Sequence, residues 1–346
     1  MRGLIRTKKP EIENRNSFMM TLDAIRRPIE GLLKEFDAFV GAQFTTDGEL
    51  LSEMLTHALS SRGKGIRPML VLLSALLHAG DESRVGRRSY IAAMLVEMIH
   101  TASLIHDDVI DEADQRRGKP SANALWQSRN AVLLGDFILA RNLSIGLESG
   151  QFDLVTHITR AMTTLCEGEV LQSESARKQL TSRERYFDVI RRKTASLLAV
   201  SASAGALSVG ARQDDVERMH RIGEALGMAF QIQDDILDFL QEAKTGKPRN
   251  NDLREGKITL PLLHVLERAS EERREELLKR LSACHADEQE VNYLQTVVEN
   301  CGGLAEARRV MEEYIEEALH LLSHYPASEA RTSLEGLARF IVARLA

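Results

Sequence analysis

The residues best suited to chemistry are aspartates, and they come in two clusters. Residues 104–117 read LIHDDVIDEADQRR and residues 230–239 read FQIQDDILDF. Asp107 and Asp111 stand four positions apart, as do Asp234 and Asp238, with Asp108 and Asp235 beside them. On a helix such pairs share a face, and like charges so placed repel one another. One cluster alone reads equally well as a solvated acidic turn capped by Arg116 and Arg117. Recurrence changes that, because both copies sit among apolar neighbours: Leu104, Ile105, Val109 and Ile110, then Phe230, Ile232, Ile236, Leu237 and Phe239. Carboxylates on largely apolar helices should face a cavity or an ion, since burial without a partner is costly. Two facing sets of hard oxygen donors suit Mg²⁺, which keeps waters and binds few carboxylates together with substrate phosphates. Neither cluster has the glycine and glutamate spacing of an EF-hand.

The elements that must carry these clusters are helices. There are seven prolines, and none between Ser121 and Lys247, where long helices can therefore run unbroken. Leu, Ala, Glu, Arg and Met recur at spacings of three and four, as in Leu51, Met54, Leu55, Ala58 and Leu59, or Ile222, Ala225, Leu226, Ala229 and Phe230. The pattern predicts an all-α bundle of about ten or more helices around a central cavity, without βαβ alternation or repeats. It continues from residue 18 to the C-terminus without a long linker, so we expect one domain over 1–346 with a flexible segment at 1–17. A helix is expected to begin at Pro68, a polar loop to run from Lys244 to Gly256, and Glu271–Arg280 to form a solvated helix face.

With 45 Lys+Arg against 51 Asp+Glu, the formal net charge is -6, which excludes the broad basic surface of a general nucleic-acid binder. The sum hides a local pattern. Five acids from Asp107 to Asp114 precede Arg116, Arg117 and Lys119, and the second cluster is followed by Lys247 and Lys257. Metal held by carboxylates, with such cations beside it, makes a locally positive pocket for anions. Cys166, Cys284 and Cys301 form no CxxC or zinc-type cluster, which points to a reducing compartment and a cytoplasmic location. No apolar core of a signal peptide opens the chain. The densest apolar run, Met69–Ala79, falls short of the ~18 residues of a membrane span, so we expect no transmembrane segment.

HTASLIHDDVIDEADQRRGKPSANA and FQIQDDILDF, followed by GKPRNNDLREGKITLPLL, resemble the two aspartate-rich motifs and flanks of the trans-isoprenyl (polyprenyl) diphosphate synthases. The resemblance covers about residues 60–265, in the family's order. It implies Mg²⁺-dependent condensation of isopentenyl diphosphate with an allylic prenyl diphosphate, by an isoprenoid-synthase bundle that forms a homodimer. It assigns Asp107, Asp111 and Asp234 to the metal, with Asp108, Asp235 and Asp238 behind them. SRGKGIRP is similar to the family's GGKRxRP, so Lys64 and Arg67 are implied to bind isopentenyl diphosphate with His100 and Arg117. Arg62 and Gly65 depart from that pattern. Arg116, Lys193, Thr194, Gln231, Lys247 and Lys257 match positions around the allylic diphosphate. Asn250 replaces a usual glycine, which asparagine can do because it tolerates left-handed backbone. Without the resemblance, His100 would read as a core residue and Lys247 and Lys257 as ordinary loop lysines.

Product length follows from the first-cluster helix. A helical turn rises about 5.4 Å, close to one isoprene unit. Short-chain members of the family place a bulky aromatic just before the cluster, where this chain has Ala102 and Ser103. We therefore expect a geranylgeranyl or longer product, with the tunnel floor set deeper, by Phe137, Leu139 and Leu143. A class I terpene cyclase would not need a second diphosphate site, and a non-catalytic isoprenoid-binding subunit tends to lose an aspartate cluster. Both features are intact here.

Overall fold

The three-and-four spacing of apolar residues closes into helices along almost all of the described chain. The computed structural model describes residues 20–60, 63–178, 182–240 and 250–342. The first third holds α1 (Leu22–Arg26), α2 (Glu30–Gln43), α3 (Glu49–Ser60), α4 (Ile66–Ala79) and α5 (Arg87–Ile110). A hairpin, β1 (Gln115–Arg116) and β2 (Lys119–Pro120), leads into α6 (Ala122–Glu148) and α7 (Phe152–Lys178). Next come α8 (Arg183–Ile190), a π turn (Arg191–Ala195), α9 (Ser196–Ser208) and α10 (Gln213–Leu240). The remainder is α11 (Asn251–Arg254), α12 (Leu260–Arg268), α13 (Glu271–Ala283), α14 (Glu288–Asn300), α15 (Gly303–Leu322) and α16 (Glu329–Val342).

The axis of the bundle is α9. It is buried on every side from Leu197 to Ala206, as a helix must be when apolar or small residues occupy its whole circumference. Around it stand α4, α5, α7 and α10. The 24 residues of α5 span about 36 Å; their first part, Ser89 to Ile99, is core, and their last turn carries the first aspartate cluster. One apolar core extends from Ile25 to Ile341. A smaller cluster, around Leu262, Leu277 and Leu294, joins α12, α13 and α14, so α13 is a solvated helix with one buried edge.

Four expectations need correction or limits. The class is all-α, but the hairpin adds two short strands that no alternation announced. The helix expected to start at Pro68, α4, begins at Ile66 with Gly65 as its cap, two residues before Pro68; proline is tolerated in a first turn because N–H groups there have no helical partner. The stretch Lys244–Gly256 contains α11 rather than loop alone. Finally, α6 is the one helix among the described residues long and apolar enough to cross a membrane, although it lays one face on α5. Residues 1–17, Arg62 and Lys247 lie outside the described residues.

Candidate active site

Asp107 and Asp108 occupy the last turn of α5, and Asp111 caps it, its N–H donating to the Asp107 carbonyl at 2.8 Å. Backbone dipoles make this end of a helix partly negative, so carboxylates here repel both the helix and one another. Partial burial, and then Glu169 of α7, push the Asp107 carboxyl up to about 6 against the pull of Lys193, with Asp111 adding to the rise. Asp108 turns elsewhere: it is buried, and Arg116 donates to its Oδ1 from Nε at 2.8 Å and from Nη2 at 2.5 Å. Ser103, one turn below Asp107, is partly buried and donates to the His100 carbonyl at 2.9 Å, whereas Ala102 is fully buried.

Arg116 belongs to the hairpin. Gln115 pairs with Pro120 and Arg116 with Lys119, which leaves Arg117 and Gly118 as a two-residue turn. Both have positive φ, 55° and 75°, the type I′ geometry that matches strand twist and favours glycine. The turn carries Arg117 across to the segment before α4, where a Cβ on Gly63 would lie 2.7 Å from its Cζ. Arg67 and His100 stand nearby. Burial, then Arg67, Arg117 and Arg116, hold the His100 imidazole well below its ordinary value, so it is neutral. Burial also lowers Arg67, while Glu97 opposes that shift. Three of the four residues assigned to isopentenyl diphosphate thus converge. Lys64 is at the rim, its Nζ 5.1 Å from the centre of the Phe340 ring.

The opposite wall comes from α7, the π turn and α10. A π turn inserts one extra residue per turn and recurs at functional sites; this one holds Lys193 and Thr194. It lies so close to α7 that a Cβ on Gly168 would come within 2.5 Å of the Lys193 backbone nitrogen. Lys193 Nζ donates to Glu169 Oε2 at 2.8 Å and to Gln172 Oε1 at 2.7 Å. The Thr194 hydroxyl donates to Gln231 Oε1 at 2.7 Å. Glu169 and Gln172 were missed in the sequence, where GEVLQ is an unremarked piece of amphipathic helix.

The second cluster divides its labour. Asp234 is half-buried. Asp235 is buried and its carboxyl is pushed well up, by burial and then by Asp252. Asp238 accepts the backbone N–H groups of Asn251 and Asp252 at 3.1 Å each, which starts α11. Asn250 precedes them with φ 55°, the left-handed backbone expected of it. Burial and then Asp238 push the Asp252 carboxyl up to about 6. Asp252 was also missed, because it lies outside either DDxxD spacing. Burial alone would lower Lys257, but Glu255, Asp252 and Asp111 outweigh it. Lys257 therefore feels both the first cluster and Asp252, which itself feels Asp234. The two clusters meet at one end of the bundle. Beside them a cavity of about 160 Å³ is lined by Lys193, Thr194, Gln231, Asp235, Asp252 and Lys257 among others.

Among the described residues no three His, Cys, Asp or Glu side chains are grouped so that they alone could hold a metal ion. The donors present are carboxylates on the last turns of two helices, with Asp107 raised to about 6 by burial and then by Glu169. That set fits a hard cation that takes its remaining ligands from water and phosphate, as Mg²⁺ does.

The model of the polyprenyl synthetase family matches residues 48–298. The chain belongs to the polyprenyl synthetase family. It is 37% identical to the heptaprenyl diphosphate synthase component 2 of Geobacillus stearothermophilus over 84% of this chain and 89% of that one. The decaprenyl diphosphate synthase of Rhodobacter capsulatus has the same fold, with a TM-score of 0.87 at 32% identity over 94% of this chain and 100% of that one. A polyprenyl synthase from Caulobacter crescentus, crystallised with calcium and isoprenyl diphosphate, gives 0.84 at 31% identity over 94% and 98%. The bundle read from periodicity is thus the polyprenyl synthetase fold.

Proposed function

We propose that this chain is a trans-prenyltransferase that joins isopentenyl diphosphate to an allylic diphosphate, giving an all-trans polyprenyl diphosphate of geranylgeranyl length or longer. The observation that carries this reading is a pair of cationic sites flanking the first cluster. Arg67, His100 and Arg117 lie on one side, and Lys193 and Lys257 on the other. A reaction that couples two diphosphates needs two such sites, whereas cyclisation of one needs a single site.

Mg²⁺ held by Asp107, Asp111 and Asp234 would supply Lewis acidity to the leaving diphosphate. Lys193 and Lys257 place fixed positive charge where that group's charge develops. Arg67, Arg117 and the neutral His100 hold the second diphosphate through charge-assisted bonds and N–H donation. Its double bond is thereby oriented towards the allylic carbon. The allylic C–O bond breaks with its electron pair leaving on the diphosphate, the double-bond electrons form the new C–C bond, and the resulting cation loses a proton to the departing diphosphate, which restores a double bond. Small residues at 102 and 103 leave the tail room to grow past the first cluster.

A homodimer completes the proposal. Val132, Leu133 and Leu147 of α6 and Phe152 of α7 are exposed, and with the exposed Ala140 the α6 residues recur about every two turns; Leu125, also exposed, lies before a break in α6 at Gln127, whose φ is 65°. Such a stripe on one helix face calls for a partner surface, here a second copy laid on the same face. All three cysteines are unpaired, which supports a reducing, cytoplasmic setting.

The test is conversion of labelled isopentenyl diphosphate by the purified protein. Wild type should require Mg²⁺ and an allylic primer, and Asp107→Asn or Asp234→Asn should each lower turnover on the order of 10²–10³-fold. Conversion of the primer alone to a cyclic hydrocarbon would contradict the two-site reading.

A further inference from the structure

We propose that Tyr186 is a positioning residue for the allylic diphosphate site, acting through Asp235. The proposal rests on the two-site reading above and adds a residue that the aspartate motifs do not contain. Tyr186 is only 8% exposed, and its phenol donates to Asp235 Oδ2 at 2.6 Å. The other oxygen, Oδ1, accepts from Gln231 Nε2 at 2.9 Å, and Gln231 Oε1 accepts from the Thr194 hydroxyl at 2.7 Å. The chain Tyr186–Asp235–Gln231–Thr194 thus joins α8, α10 and the π turn with every bond of good length.

The directions of these bonds matter. Gln231 presents its amide to Asp235, so its carbonyl is the end left to face Thr194, and the order in which the groups point is fixed from the phenol outward. A buried carboxylate engaged by a phenol and an amide is taken up as an anchor, whereas Asp234 beside it is only half-buried. The base under the phenol is firm. Tyr186 packs edge-on against Phe187 at 5.2 Å. At the start of α8, Arg183 donates to Glu267 of α12 at 2.7 Å and to Glu306 of α15 at 3.0 Å. Tyr186 therefore holds the cavity wall that carries Thr194 and Gln231.

Tyr186→Phe removes one hydroxyl and keeps the ring. With Asp235→Asn and the double variant, it is tested by calorimetric binding of Mg²⁺ and pyrophosphate, by melting temperature, and by KM for each substrate. We expect Tyr186→Phe to weaken Mg²⁺–pyrophosphate binding and raise the allylic KM about tenfold, the size of one net hydrogen bond, with the isopentenyl diphosphate KM within about twofold of wild type. The double variant should bind no more weakly than Asp235→Asn, because both changes cut the same chain. Unchanged binding in Tyr186→Phe, or additive losses in the double variant, overturns the proposal. If Tyr186→Phe does not stay folded, Asp235→Asn decides: it should bind as many Mg²⁺ ions as wild type, whereas loss of an ion, as expected of Asp234→Asn, makes Asp235 a ligand and overturns the idea. Wild type that binds no Mg²⁺–pyrophosphate contradicts the two-site reading itself, so the two failures are distinguishable.

Discussion

Neighbouring aspartates do different work because each meets a different partner. Asp107 faces Glu169 and Lys193, Asp108 holds Arg116, Asp235 accepts from Tyr186, and Asp238 caps α11. Asp108→Asn should therefore act as a hairpin variant, raising KM for both substrates, where Asp107→Asn lowers turnover; steady-state kinetics of the two variants checks this. Arg117→Ala removes a charged donor of the second site and should raise KM for isopentenyl diphosphate by about 10–100-fold, leaving the allylic KM near wild type. His100 makes a prediction in pH. Its folded value lies well below the unfolded ~6.5, so the native state binds fewer protons, and the stability it contributes is full above that value and lost as pH falls below it. Burial shifts His78, His157 and His220 the same way. The raised carboxyls of Asp107, Asp235 and Asp252 act in the opposite sense over the same range, so the histidine part is read as a difference: between about pH 7 and 5, His100→Gln should lose less melting temperature, or gain more, than wild type.

At the scale of elements, the hairpin sets the second anion site. Gly118 has φ 75°, so Gly118→Ala costs about 1–2 kcal/mol in left-handed backbone. It should raise KM for isopentenyl diphosphate with little change in melting temperature, since the hairpin lies outside the main core. On α5, Ser103→Phe should shorten the product by filling the turn below Asp107; an unchanged product would move the growing tail away from this face. Most helices were legible because a 3.6-residue period survives in them; α9 has none, being apolar or small all round. The aspartates, His100 and the basic pair Arg116–Arg117 were legible as motifs. The hairpin was not, because two-residue strands carry no alternation, and the π turn was not, because RRKTA looks like any helix interior. Glu169, Gln172 and Tyr186 escaped for a shared reason. Each is a single residue on an amphipathic helix, and only packing of α7 and α8 against the π turn brings it to the site.

Across the whole molecule, charge is arranged rather than balanced. A net charge of -6 coexists with local groups of cations: Arg67, Arg116 and Arg117 around His100, and Lys193 and Lys257 across from them, the two lysines paired with Glu169 and Glu255. The apolar stripe on α6 should make a dimer in solution, and Leu133→Glu should give monomers by light scattering while the helix content is unchanged. The most direct measurement is the mass of the product formed from isopentenyl diphosphate and an allylic primer with Mg²⁺. The proposed pair of diphosphate sites predicts linear diphosphates that grow from the primer one isoprene unit at a time and pass the length of farnesyl diphosphate. Products that stop at or before that length would contradict the reading that small residues at Ala102 and Ser103 let the tail pass. A cyclic hydrocarbon, or no elongation at all, would contradict the two-site geometry.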